Sequence, residues 1–225
     1  MIDVNFILDI LEGTVKEGES YIGHVPLVGR SGVTIANGFD LGQHNKQDLL
    51  KYNLGEELNK KLEPFLLKNL SNTDAKELQS MAKSLVISED EAKKINSSVL
   101  NWNLKQTEKE YNDIMANVKD SNYTTRFAQL PSKLQTILVQ NKYLTGNIKN
   151  YPMLYNSIAQ NDKSKIVDAI NKNKKYNDKR KEDLINYLSE EEIEIQLKEK
   201  PQVPVKKETF NSKQPKGRTS LIDLY

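Results

Sequence analysis

Seven of the ten glycines in this 225-residue chain fall between Gly13 and Gly42. Glycine reaches backbone conformations closed to other residues, so such a cluster marks a segment that turns repeatedly. After Gly42 only Gly55, Gly146 and Gly217 remain, and apolar residues recur at spacings of three and four. These two observations predict one short, turning segment set in a helical body. The expected fold class is α+β, mostly helical, with a small antiparallel sheet in the N-terminal part.

The elements follow from local signals. Val4, Ile7, Leu8 and Leu11 share one face, with Asp3 as N-cap, which predicts a short helix ending near Glu12-Gly13. Short strands are expected at Tyr21-Ile22, Val25, Leu27-Val28 and Val33-Thr34-Ile35. Asn37-Gly38 suits a two-residue type I′ turn, in which both residues take positive φ. Helices are expected over residues 46–52, 55–69 (divided at Pro64), 73–85, 89–117, 131–143, 151–159, 163–173 and 178–188. Ser88 and Glu91 form a capping box at the start of the longest. Periodicity fails from Lys198 onward, where Pro201, Pro204 and Pro215 interrupt a Lys-rich stretch. Residues 1–195 are therefore read as one domain and residues 196–225 as a flexible basic tail.

Composition excludes several classes. No cysteine is present, so neither a disulfide framework nor a thiolate metal site is available, and two histidines argue against a zinc centre. No run of eighteen apolar residues occurs, and stable membrane insertion is not expected. There is no Walker loop or dinucleotide fingerprint, and no metal or cofactor is expected. The Lys-rich stretch at residues 171–176 has too few aromatic partners for nucleic-acid binding and reads as a solvated helix end. The net charge of +2 is uneven: residues 196–225 hold seven Lys/Arg against three Asp/Glu. The tail is read as solvated, or as attracted to an anionic envelope. Met1-Ile2-Asp3-Val4-Asn5 lacks the features of a secretory leader. A monomer made in the cytoplasm is expected.

The chemistry concentrates around the glycines. Cleavage of a glycosidic bond with inversion needs a proton donor at the leaving oxygen and a base that activates water from the opposite face. The donor stays protonated near neutral pH only in a site that penalises its charge. Glu12 follows Ile10 and Leu11 at a helix end, which suits that role, although helix-terminal glutamates are commonly just solvated. Asp40 is the candidate base, and Thr34, six positions earlier, the hydroxyl that meets the water. Across a hairpin broken at Asn37-Gly38 the two face each other. The bland alternatives are strand preference for Thr34 and a turn cap for Asp40. Glu17 and Glu19 are the other candidates for the second carboxylate. His24 reads as structural and His44 as a loop residue.

Those residues carry a resemblance. Glu12-Gly13, Ser31-Gly32-Val33-Thr34-Ile35 and Gly38-Phe39-Asp40-Leu41-Gly42 resemble the pesticin-like subgroup of phage-type lysozymes, related to the lysozymes of T-even phages. Supporting matches lie at residues 87–94, 134–146 and 175–177, and the likeness spans about residues 3–190. It implies a two-lobed phage lysozyme-like fold, with a small α/β lobe over about residues 1–55, a helical lobe over about 56–195, the first helix packing on the helical lobe, and the substrate cleft between the lobes. It further implies hydrolysis of the β-1,4 bond between N-acetylmuramic acid and N-acetylglucosamine of peptidoglycan. Glu12 matches the general acid and Thr34 the cleft threonine. The T-even aspartate position is Val28 here, so Asp40 follows the pesticin-like arrangement, and Phe39 stands where the T-even enzymes carry histidine. Gln140 falls near a cleft glutamine and is carried over as a substrate contact. The resemblance implies an endolysin-like enzyme acting on the cell wall after release or delivery. The alternatives are a catalytically inactive virion or peptidoglycan-binding protein, and a transglycosylase, which needs no water-activating base.

Overall fold

Most of the helices begin where a side chain satisfies their free N–H groups. The computed structural model describes residues 2–12, 21–27, 29–119 and 122–189, with the side chains of residues 9–12 excepted. Asp3 opens α1 (Val4–Glu12), its Oδ1 accepting from the Phe6 amide at 2.9 Å. Asn45 and Asp48 make a capping box for α2 (Lys46–Lys51). Next comes α3 (Glu56–Leu62), and Pro64 lies in the 3-10 turn Glu63–Phe65 that ends it. Asp74 caps α4 (Ala75–Ser84). Ser88 and Glu91 cap α5 (Glu89–Met115), a helix about 40 Å long. Pro131 precedes α6 (Ser132–Thr145), which stops at Gly146 with φ 76°. The remaining helices are α7 (Pro152–Ala159), α8 (Lys163–Lys172) and α9 (Asp178–Ser189).

The sheet is smaller than expected. It is one antiparallel pair, β1 (Thr34–Ile35) and β2 (Phe39–Asp40), in the register Thr34↔Asp40 and Ile35↔Phe39. Residues expected as further strands contribute single bridges, His24 to Thr34 and Ile22 to Val86. The two-residue type I′ turn does not form. The register leaves three residues in the loop, and positive φ falls on Ala36 (48°) and Gly38 (75°) rather than on Asn37. A tertiary contact overrides the local preference. The Asn37 amide N donates to Asn96 Oδ1 at 3.0 Å, and Asn96 Nδ2 returns a bond to Asn37 Oδ1 at 2.9 Å. Tyr143 Oη adds a bond to the Asn37 carbonyl at 3.0 Å. The hairpin tip is thereby tied to both α5 and α6.

Two hydrophobic cores form. The first gathers Val33, Ile35, Phe39, Leu41 and α2–α4 against Ala92, Ile95 and Val99 of α5. The second gathers Ile7 of α1, Leu100, Tyr111 and Met115 of α5, and α6–α9. The cores divide at Val99/Leu100, in the middle of α5. The reason is that α5 presents apolar residues along its whole length, so each half joins a different core. Ile7 places α1 on the second core. The segment after residue 189, including the basic tail, lies outside the described residues.

Candidate active site

A cleft of about 670 Å³ opens where the hairpin, the α2 region, α5, the end of α6 and α9 meet. Its size is that of a small-ligand site. The hairpin contributes Asp40, α5 contributes Trp102 and Asn103, and α9 contributes Arg180.

Asp40 is held by the glycines around it. Its Oδ1 accepts from the amides of Gly32 at 3.0 Å and Gly42 at 2.9 Å. The two glycines cross in close contact. A Cβ on Gly32 would lie 2.4 Å from Gly42 Cα and from the Lys68 carbonyl; one on Gly42 would lie 2.6 Å from Gly32 Cα. Ser31-Gly32 and Asp40-Leu41-Gly42 are thus one structural unit, in which both glycines permit the approach that delivers two N–H groups to one carboxylate oxygen. Burial raises the Asp40 carboxyl above its ordinary value, while those amides and the Gln43 side chain pull it back.

Thr34 is the cross-strand partner of Asp40. Such partners project to the same face. The Thr34 side chain is nearly enclosed, at 4% exposure, and its Oγ1 donates to the Gly32 carbonyl at 3.3 Å. Its backbone pairs with His24 through both N–H and C=O, at 2.7 and 3.0 Å, which is the structural role expected of that histidine's segment.

Glu12 is the last residue of α1; its side chain, and the whole of Glu17 and Glu19, lie outside the described residues. The direction of α1 is nonetheless anchored, because the Asp3 amide donates to Thr136 Oγ1 at 2.9 Å. Thr136, Gln140 and Tyr143 follow one another at helical spacing on one face of α6. The first touches the start of α1 and the last touches the hairpin tip. Gln140, between them, is fully buried and leaves no surface for a substrate to touch. The expected substrate contact is thus an interior residue of α6, whose neighbours Ile137, Leu138 and Val139 belong to the second core. Neither side-chain polar atom of Gln140 has a partner among the described residues.

The cleft also has an aromatic wall. Phe39 stacks on His44 at 4.7 Å between ring centres. Tyr52 meets both rings edge-on, at 5.4 and 5.7 Å, and meets Trp102 at 5.7 Å. Burial lowers the His44 pKa, leaving a neutral, stacked imidazole as the favoured form near neutral pH. Sequence reasoning took His44 for a loop residue and singled out neither Trp102 nor Arg180. The available signal was Trp102 itself, a lone tryptophan flanked by Asn101 and Asn103 on a helix.

Residues 1–164 match the model of a protein family described as Pesticin, bacterial toxin homologue of phage lysozyme, C-terminal. No curated protein matches the chain.

Proposed function

The chain belongs to the Pesticin family of phage-lysozyme homologues, a lysozyme-like peptidoglycan-hydrolase class, and we propose that it is a muramidase cleaving the β-1,4 bond between N-acetylmuramic acid and N-acetylglucosamine. The observation that carries this reading is the Asp40 carboxylate, fixed by two backbone amides at the edge of a cleft and paired across the hairpin with Thr34. One Asp40 oxygen accepts both amide bonds, which orients the group.

In this reading Glu12 donates its proton to the glycosidic oxygen as the bond to the anomeric carbon breaks. Asp40 takes a proton from the water that attacks that carbon from the opposite face, and Thr34 helps orient that water. Inversion requires the two carboxyl groups to stand roughly 6.5–9.5 Å apart. The attachment of α1 and the hairpin to one face of α6 supports two carboxylates addressing a common cleft. We further infer action on the cell wall after release or delivery.

The test is product analysis. Purified sacculi digested by the full chain should yield fragments with reducing muramic ends. Anhydro ends would replace hydrolysis by transglycosylation, and an absence of products would leave a binding protein. Glu12→Gln keeps the shape but cannot supply the proton, so its rate should fall by about 10²–10⁴-fold with the thermal midpoint retained. Full activity in that variant would remove Glu12 from the mechanism.

A further inference from the structure

The α5 stripe that faces the first core runs Ala92, Ile95, Val99 and continues at the next helical step to Trp102. Just there the helix passes from one core to the other, because Leu100 already belongs to the second. Trp102 therefore has core against one edge and the cleft at the other. It is half-buried, packed on the first core, and lines the cleft. A half-open indole in a cleft wall has a face to offer.

We propose that Trp102 is the stacking platform of a sugar subsite, binding a β-linked N-acetylhexosamine ring next to the point of cleavage. This rests on the muramidase reading of the cleft. A pyranose with equatorial substituents presents a face of axial C–H bonds, weakly positive and poorly hydrated. An indole face is flat, apolar and negatively polarised, so the two are complementary in shape and charge. The surroundings hold the ring in place. Tyr52 meets it edge-on at 5.7 Å, and Tyr52 in turn packs against Phe39, the residue before Asp40. The wall thus runs continuously from the hairpin to Trp102 and positions a glycan from the carboxylate outward. Lys51 Nζ stands 5.9 Å from the indole centre, where a cation steadies the ring, and is itself paired with Asp48. Lys51, Asp48 and Gln43 line the same cleft and offer polar atoms for sugar hydroxyls and acetamido groups. An apolar floor with a few polar groups at its rim is the usual composition of a ligand site.

Trp102 is the chain's single tryptophan, so its emission reports on this position without any substitution. Titration of the full chain with triacetylchitotriose should give a saturable change in intensity and a blue shift. On sacculi, Trp102→Ala should raise KM on the order of tenfold with kcat nearly kept, the pattern of lost binding rather than lost chemistry. Trp102→Phe, which restores an aromatic face, should recover part of that loss. Unchanged emission while calorimetry registers binding of the trisaccharide overturns the proposal, as does an unaltered KM in a folded Trp102→Ala protein. The outcomes separate from those of the muramidase reading. If reducing ends are released but the emission is silent, the subsite alone falls. If the emission responds and no ends are released, the subsite stands and the muramidase reading falls.

Discussion

Asp40 combines two opposed requirements: a base must be ionised, yet a site that excludes water resists the charge. The Gly32 and Gly42 amides reconcile them by placing two N–H dipoles on Oδ1. Burial still leads, and the folded pKa lies above the unfolded value of about 3.9. Between those two values the native state binds more protons than the unfolded state, so stability falls as pH rises through that window. Above the window, the ionised Asp40 weighs against the fold. Asp40→Asn keeps an oxygen for both amides and removes the charge. It should therefore lose about 10²–10⁴-fold in hydrolysis while melting no lower than the parent at pH 7, with any advantage fading below the usual carboxylate range. A melting point clearly below the parent's would show that the carboxylate stabilises the hairpin. The acid limb of kcat/KM should likewise lie above the ordinary aspartate value, since that limb reports the base in the free enzyme. Gly42→Ala sets a Cβ against backbone on both sides, 2.6 Å from Gly32 Cα and from the Lys68 carbonyl. Neither neighbour can turn aside. Denaturant unfolding should show a loss of about 1–3 kcal/mol, with activity falling further because Asp40 loses its clamp.

The hairpin depends on other elements for its position. Two residues per strand cannot hold a conformation alone. Asn37 and Asn96 exchange two hydrogen bonds, and Tyr143 adds a third. Asn96→Ala leaves the Asn37 amide and side chain short of partners in a part-buried site. A loss of about 1–2 kcal/mol is expected, measured by chemical denaturation, together with a drop in kcat larger than the lost stability explains. A variant with parental kcat would indicate that the sheet register alone positions Asp40. The helices behaved differently from the hairpin under sequence reading. Asp3 and Ser88 start helices where capping predicts, and Pro64 ends one where its ring and missing N–H predict. Caps and prolines act within one turn of chain, so their signals are local. The Asn37-Gly38 turn was misread because its partner lies 59 residues away on α5.

At the scale of the molecule, α5 joins two cores and sets the cleft between their surfaces. The basic segment 196–225 contributes charge, seven Lys/Arg against three Asp/Glu. Deleting residues 199–225 should leave hydrolysis of purified peptidoglycan nearly unchanged. Binding to intact, anionic cells should fall, more at low salt, because exposed charges are screened over about 10 Å at 0.1 M. Loss of activity on purified wall would instead make this segment part of the working fold. Legible in the chain alone were the mostly helical α+β class, most helix boundaries to within a few residues, and a hairpin that carries both Thr34 and Asp40. These follow from periodicity, capping and turn chemistry, which act between near neighbours. Packing in three dimensions is what makes Gly32 and Gly42 cross beneath Asp40 and divides the cores within α5. It alone buried Gln140 and brought Phe39, His44, Tyr52 and Trp102 into one wall. Each of these is a contact between surfaces whose approach depends on how whole helices pack, and packing energy is shared among residues too far apart in the chain for any local pattern to record.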